Sequence, residues 1–284
     1  MHSAHEIVAA HDRLHTLPTI YLKIRDELES EDGSLIEVTR LVAHDPTISA
    51  RVLHVVNSAL YGYGGNIDSI MRAVQLLGMQ QLHDLVLAVS VTEQFEDVDS
   101  KDMNMRVFWR FAVLRGLAAR VTARRCGLLD AERLFVIGLL ASLGQLLLLL
   151  TTPQQAIEAQ RLADETGQPL AELQRRLIGA SDAEVCCALL DNWRLPNVFS
   201  AIIGSQHQPT LAGEHSFEAA ILLLANRIVD ADRRGEPSDV AAEAVPSGTW
   251  TQLDLSMDTL AEIREEAELN LAAVTSLFFP RNTG

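Results

Sequence analysis

Little in this 284-residue chain favours a β-sheet. Aromatic residues make up 5% although hydrophobic residues make up 48%, and strands draw on aromatic and β-branched side chains. No Asn-Gly or Asp-Gly pair separates two alternating segments; Asp32-Gly33 falls between helical patterns instead. The three cysteines, Cys126, Cys186 and Cys187, are odd in number and two are adjacent, with no CxxC pair. That excludes a disulfide framework and a zinc ribbon, and leaves small buried thiols. Glycine (16) and proline (9) are sparse and form no low-complexity tract, which argues against wholesale disorder. The opening MHSAHEIVAAHDRL has no positive segment leading into an apolar one, so it is not a secretory signal and a cytoplasmic location is expected. No GxGxxG, GxxxxGK[ST] or serine nucleophile elbow occurs, so no phosphate-cradling loop or acyl-transfer motif is visible.

What the chain has is acid and helix. The formal net charge is −15, a field that repels phosphate backbones and makes nucleic acid an unfavoured partner. From Leu211 to Gly284 thirteen acidic residues face five basic ones. Apolar residues recur at helical spacing over 35–44, 46–60, 69–77, 79–95, 104–126, 131–151, 154–166, 169–178, 182–193, 196–206, 216–233 and 256–274. Ser34 with Glu37 and Ser181 with Glu184 read as capping boxes. Asp45-Pro46 places a capping carboxylate before a first-turn proline. The expected fold class is all-α.

Residues 136–150, VIGLLASLGQLLLLL, raise the question of a membrane. No charge lies between Arg133 and Glu158, and a span needs about 20 apolar residues. Yet Gln145 interrupts the run and Thr151-Thr152-Pro153 ends it. Gly138, Ala141, Ser142 and Gln145 fall at i, i+3, i+4 and i+7, one small and partly polar stripe on an otherwise apolar rod. A central buried helix is expected, with neighbouring helices closing over that stripe.

Val56-Asn-Ser-Ala-Leu-Tyr-Gly62, then Ile67-Asp-Ser-Ile70 and Ala73-Val-Gln-Leu-Leu-Gly78, resemble the HDOD family, the HD-related output domain of bacterial signalling proteins. Leu17-Pro18, Asp45-Pro46, Phe108-Trp109-Arg110, Gly138-Leu-Leu, Ala183-Glu-Val185, Trp193 with Leu195-Pro196, and His207 with Pro209 follow in the family's order. The resemblance runs from about residue 14 to 230. It implies a multi-helix HD-like bundle in two packed helical layers. Residues 1–97 would be an N-terminal helical subdomain, 98–233 the HD-like bundle, and 234–284 an acidic helical extension packed on it. It implies Asn57, Ser58, Tyr61 and Gly62 as the family signature.

The resemblance also points to HD metal phosphohydrolases, in which histidines and aspartates hold metal that generates hydroxide and clamps phosphate. Phe111, Ala141 and Ser142, Gln145, Asp182, and Gln206 with His207 stand where such relatives carry His, His-Asp, Lys, His and His-His. Phe and Ala supply no metal ligand, so no catalytic residue, metal or cofactor is expected. The resemblance implies a regulatory module, not an enzyme. It would work through contact with a regulatory protein, in two-component or second-messenger signalling, with an indirect effect on gene expression and with homodimerisation open. The alternatives are a metal-dependent phosphohydrolase of nucleotides or cyclic dinucleotides, and a nucleotide receptor that has lost catalysis.

Other candidates are weaker. His44-Asp45 reads as a helix end followed by a cap. His11 and His15 have i, i+4 spacing but no third ligand. Arg110, Arg120, Arg124 and Arg125 share an arc of about 140° on one helix, with Arg115 outside it. They form either an anion or partner patch or a face paired with the protein's own acids.

Overall fold

A computed structural model describes residues 1–11, 17–30, 33–58, 60–63, 67–95, 98 and 103–279. Among these the regular structure is helical throughout, with no strand. The chain forms two compact units. One holds Met1–Thr16 and Asp99–Glu265, the other Leu17–Val98 and Glu266–Gly284. The larger unit thus takes in both the first residues and the stretch 234–265.

The first helix, α1 (Ala4–Ala9), opens on a capping box between Ser3 and Glu6 and belongs to the larger unit. The smaller unit follows with α2 (Thr19–Glu29), α3 (Leu35–Ala43), α4 (Pro46–Val56), α5 (Ile70–Leu77) and α6 (Met79–Gln94). α6 packs against α2, α4 and α5, and buries every residue from Leu82 to Thr92. Only half of the expected Ser34 box forms. Ser34 accepts from the Glu37 amide, but its own amide donates to Glu27 Oε1 at 2.9 Å, because Glu37 is held in a fork by Arg40. Asp45 caps α4 through the amides of Thr47 and Ile48, both at 3.0 Å, and His44 ends α3.

Asn57, of the signature, ties the end of α4 to Ile67. Its Nδ2 donates to Leu53 O at 2.9 Å and Ile67 O at 2.7 Å, while its Oδ1 accepts from the Ile67 amide at 2.7 Å. Ser58 Oγ donates to Val55 O at 2.6 Å and accepts from the Leu60 amide. Tyr61 stacks on Tyr63, and Gly62 sits at φ +65°, a conformation that favours glycine. Ala59 and residues 64–66 lie outside the described residues.

In the larger unit α7 (Met105–Arg125) packs on α8 (Ala131–Leu140), and α9 (Ser142–Thr151) packs on α10 (Pro153–Thr166). Then come α11 (Leu170–Leu177), α12 (Asp182–Asn192), α13 (Asn197–Gly204), a 3-10 turn at Pro209–His215 and α14 (Ser216–Arg234). α7 is covered on another side by α14, and α9 by α12. α15 (Ser238–Glu243) and α16 (Ser247–Leu253) pack on α14, and α17 (Thr259–Phe278) closes the helical chain. Ser181 and Glu184 form the expected reciprocal cap on α12.

Glycines set two of these crossings. A Cβ on Gly138 would lie 2.8 Å from Gly116 Cα, and one on Gly144 would lie 1.9 Å from Asp182 O. Helix backbones meet there without side chains between them. The run Ala131–Thr151 is long and apolar enough to cross a membrane, yet 78% of its apolar window is buried within the protein. It is two helices, not the expected one. Ala141, at φ −56° and ψ −22°, makes a single tightened, 3-10-like step between α8 and α9. All three cysteines are free, with burial pushing the Cys126 and Cys187 thiols up to about 11.

Candidate functional site

α7, α9, α10, α12 and α14 enclose a cleft of about 570 Å³. The size suits a small molecule. The expected closure over the small-residue stripe is therefore incomplete. Gly138 meets α7, but Ser142 and Gln145 face the cleft. Its apolar lining includes Val107, Phe108, Phe111, Leu149 and Ile157, and its polar lining includes Arg115, Ser142, Gln145, Asp182, Asp230 and Arg233. A polar recess of about 340 Å³ shares Arg115, Asp182, Asp230 and Arg233 with it and adds Gln206, His207 and Asn226. The fold thus gathers Phe111, Ser142, Gln145, Asp182, Gln206 and His207 around one space. Ala141 is buried, 2% exposed, and does not line it.

Two hydrogen-bonded chains join these positions. In the first, Arg115 Nη1 donates to Ser142 Oγ and Nε donates to Asn226 Oδ1 at 2.7 Å. Asn226 Nδ2 donates in turn to Gln206 Oε1 at 3.0 Å. In the second, Gln174 Nε2 donates to Gln145 Oε1 at 2.8 Å, and Gln174 Oε1 accepts from the Asp182 amide at 2.9 Å. A guanidinium and two amides tie together Ser142, Gln206, Gln145 and Asp182, positions that the resemblance singles out.

The charges respond to this enclosure. His207 Nε2 lies 3.6 Å from Asp182 Oδ1, an ion-pair contact just beyond hydrogen-bond length. Burial alone would lift the Asp182 carboxyl, but His207, then Arg115, outweigh it and hold it below its ordinary value. Burial would likewise lower His207, but Asp182 and Asp230 hold it above the usual histidine range. Arg115 is pulled below its usual value by desolvation, against Asp182 and Asp230. Asp230 keeps half of its side-chain surface accessible, yet the crowded cleft wall desolvates it and raises its carboxyl in spite of Arg233 and Arg115.

The donor set does not fit a catalytic metal. Among the described residues no three His, Cys, Asp or Glu side chains converge. Phe111 has no ligand atom, Ser142 Oγ is engaged by a cation, and Asp182 with His207 makes only one pair. No metal-dependent step is derived for this chain.

The other candidates lie elsewhere. Arg110 pairs with Asp232 at 2.5 Å, Arg120 and Arg124 with Glu132 at 3.0 Å each, and Arg125 with Glu262 at 2.5 Å. All four cations are matched within the protein, and Arg120 is buried. His11 contacts Thr151 Oγ1 at 2.8 Å and lies beyond α1, while His15 is outside the described residues. Sequence reasoning alone passes over Arg115, Asn226, Asp230 and Arg233. One signal is available. Arg115 is one turn beyond Phe111, so the two share a face of α7. Asn226, Asp230 and Arg233 form an i, i+4, i+7 stripe on a helix that is otherwise largely apolar.

The sequence profile described as HDOD domain matches residues 14–209. An uncharacterised protein of Treponema pallidum (strain Nichols) is 26% identical over 187 residues, 65% of this chain and 36% of that protein. YuxH, an uncharacterised protein of Bacillus subtilis (strain 168), is 24% identical over 165 residues, 58% of this chain and 39% of YuxH. The matches thus span a little over a third of those curated relatives. Among solved structures, an HDOD domain protein of unknown function from Geobacter sulfurreducens aligns with a TM-score of 0.76 at 24% identity, covering 97% of both chains. A candidate phosphohydrolase from Shewanella amazonensis SB2B aligns at 0.72 and 26% identity, covering 100% of this chain and 99% of that one.

Proposed function

The chain belongs to the HDOD family, and on that premise we propose that it is a non-catalytic regulatory module. It acts in the cytoplasm by contact with another protein, at the output end of a two-component or second-messenger pathway. The observation that carries this reading is Arg115. Its guanidinium reaches Ser142 and, through Asn226, Gln206, so a fixed organic cation spans positions where metal ligands would stand. A divalent metal beside it would face like charge and lack donors. Effects on gene expression would be indirect, since the formal charge of −15 opposes contact with DNA.

A second reading has one specific support. The similar Shewanella structure is a candidate phosphohydrolase, and Asp182 with His207 still faces a cleft of substrate size. Elemental analysis of the purified protein, with phosphate-release assays on nucleotides and cyclic dinucleotides, separates the two. The expected result is no stoichiometric transition metal and no turnover stimulated by added Mn²⁺. One metal per chain with metal-dependent phosphate release would establish the hydrolase instead.

A further inference from the structure

Two buried polar atoms at the recess have no hydrogen-bond partner, Asp182 Oδ1 and Gln206 Nε2. Their residues are 9% and 2% exposed. Buried polar atoms are seldom left unpaired, and each exception calls for an explanation such as a ligand. Arg115 adds to the pattern. Its two hydrogen bonds use Nε and Nη1 and go to uncharged partners, and no carboxylate of the described residues lies within ion-pair distance. A desolvated cation and a desolvated carboxylate therefore line one space without pairing with each other. The same cleft holds the apolar lining.

We propose that the cleft binds a small zwitterion of the α-amino-acid type. The carboxylate sits on Arg115, the ammonium on Asp182, and the apolar side chain against Val107, Phe108, Phe111 and Leu149. This rests on the non-catalytic reading, since a metal on Asp182 would remove the acceptor. With Nε and Nη1 engaged, Nη2 is the nitrogen left to donate to the carboxylate, and an ionised aspartate is an acceptor only. Other ligand classes fit less well. Arg161 is held by Glu158 and Glu165, and Arg233 by Asp164 through two bonds of 2.7 Å. A nucleotide's phosphates would meet one uncommitted cleft cation and the carboxylates of Asp164, Asp182 and Asp230. A plain carboxylic acid would leave Asp182 with only the 3.6 Å contact to His207, and a plain amine would leave Arg115 without a carboxylate.

Titration calorimetry on the full chain tests this with four probes: L-phenylalanine, 3-phenylpropionate without the ammonium, phenethylamine without the carboxylate, and cyclic di-GMP. L-Phenylalanine should bind, with each truncated analogue at least about tenfold weaker. Asp182→Asn should weaken L-phenylalanine about tenfold and leave 3-phenylpropionate unchanged. Arg115→Gln should weaken L-phenylalanine and leave phenethylamine unchanged. This crossed pattern cannot come from misfolding, which would weaken every probe together. Absence of heat with L-phenylalanine at about 10 mM, equal affinity for the truncated analogues, or binding of cyclic di-GMP alone would each overturn the proposal. In a protein without turnover, such a failure leaves the non-catalytic reading intact; metal-dependent turnover would remove both.

Discussion

Asp182 and His207 form an acid–imidazole pair in the cleft, and their coupling has a pH signature. His207 is held above its ordinary 6.5 and Asp182 below its ordinary 3.8. A raised histidine stabilises the fold fully below the unfolded histidine's pKa and loses that contribution as pH rises through the folded value. A depressed aspartate contributes above its unfolded pKa and loses it as pH falls through the folded value. The pair therefore stabilises most between the two ordinary values. Because His207 is 42% exposed, the effect is small. His207→Gln should lower Tm more at about pH 5 than at about pH 8, read from melts of both proteins across that range. A deficit that is flat with pH would mean that His207 acts only by packing. Much of this site was legible residue by residue, because Phe111, Ser142, Gln145, Asp182, Gln206 and His207 occupy positions that a family pattern marks. Arg115 was hidden because wheel arithmetic compares a residue with neighbours on its own helix. Its partners, Ser142 and Asn226, come from α9 and α14.

Helices are decided by local spacing and caps, which is why most element positions could be read from apolar periodicity. α7, α10 and α12 lie within two residues of their expected bounds. The failures have local causes. α1, α15 and α16 have only six, six and seven residues, too few turns to show a period. The break at Ala141 has no signal in the sequence, since Ala is the best helix former and nothing in VIGLLASLGQ marks a stop. Packing explains why Gly144 belongs in α9. In an open helix Gly→Ala gains about 1 kcal/mol, but a Cβ here would lie 1.9 Å from Asp182 O, and overpacking costs about 1–3 kcal/mol or more. Gly144→Ala should therefore lower Tm by about 5 °C and move Asp182 in the cleft wall. Gly248 in α16 is the control, because a Cβ added there would meet no atom within 4 Å. Gly248→Ala should leave Tm unchanged or slightly raised. Equal melts for the two variants would show that α9 and α12 can part without penalty.

At the scale of the whole chain, charge and burial set an expectation about partners that can be tested. The apolar run that suggested a membrane is spent on the protein's own interior, with 78% of its window buried. The concentrated arginines of α7 and its C-terminal turn suggested an anion patch, but Asp232, Glu132 and Glu262 neutralise them. The chain as a whole carries a surplus of acid, the formal −15. Phosphate polymers bind by exchanging condensed counterions for free protein cations. The basic segment of α7 is already paired, and the net field opposes approach from a distance. The full chain should therefore pass through a heparin column at about 50 mM salt and leave the anisotropy of a labelled DNA duplex unchanged at micromolar protein. Retention that weakens linearly in log salt would mean that the α7 ion pairs open to phosphate. Substituting Arg124 and Arg125 with glutamine would then have to abolish it. The same acidic surface should hold the protein on an anion exchanger under those conditions, so a single pair of columns reads both halves of the expectation.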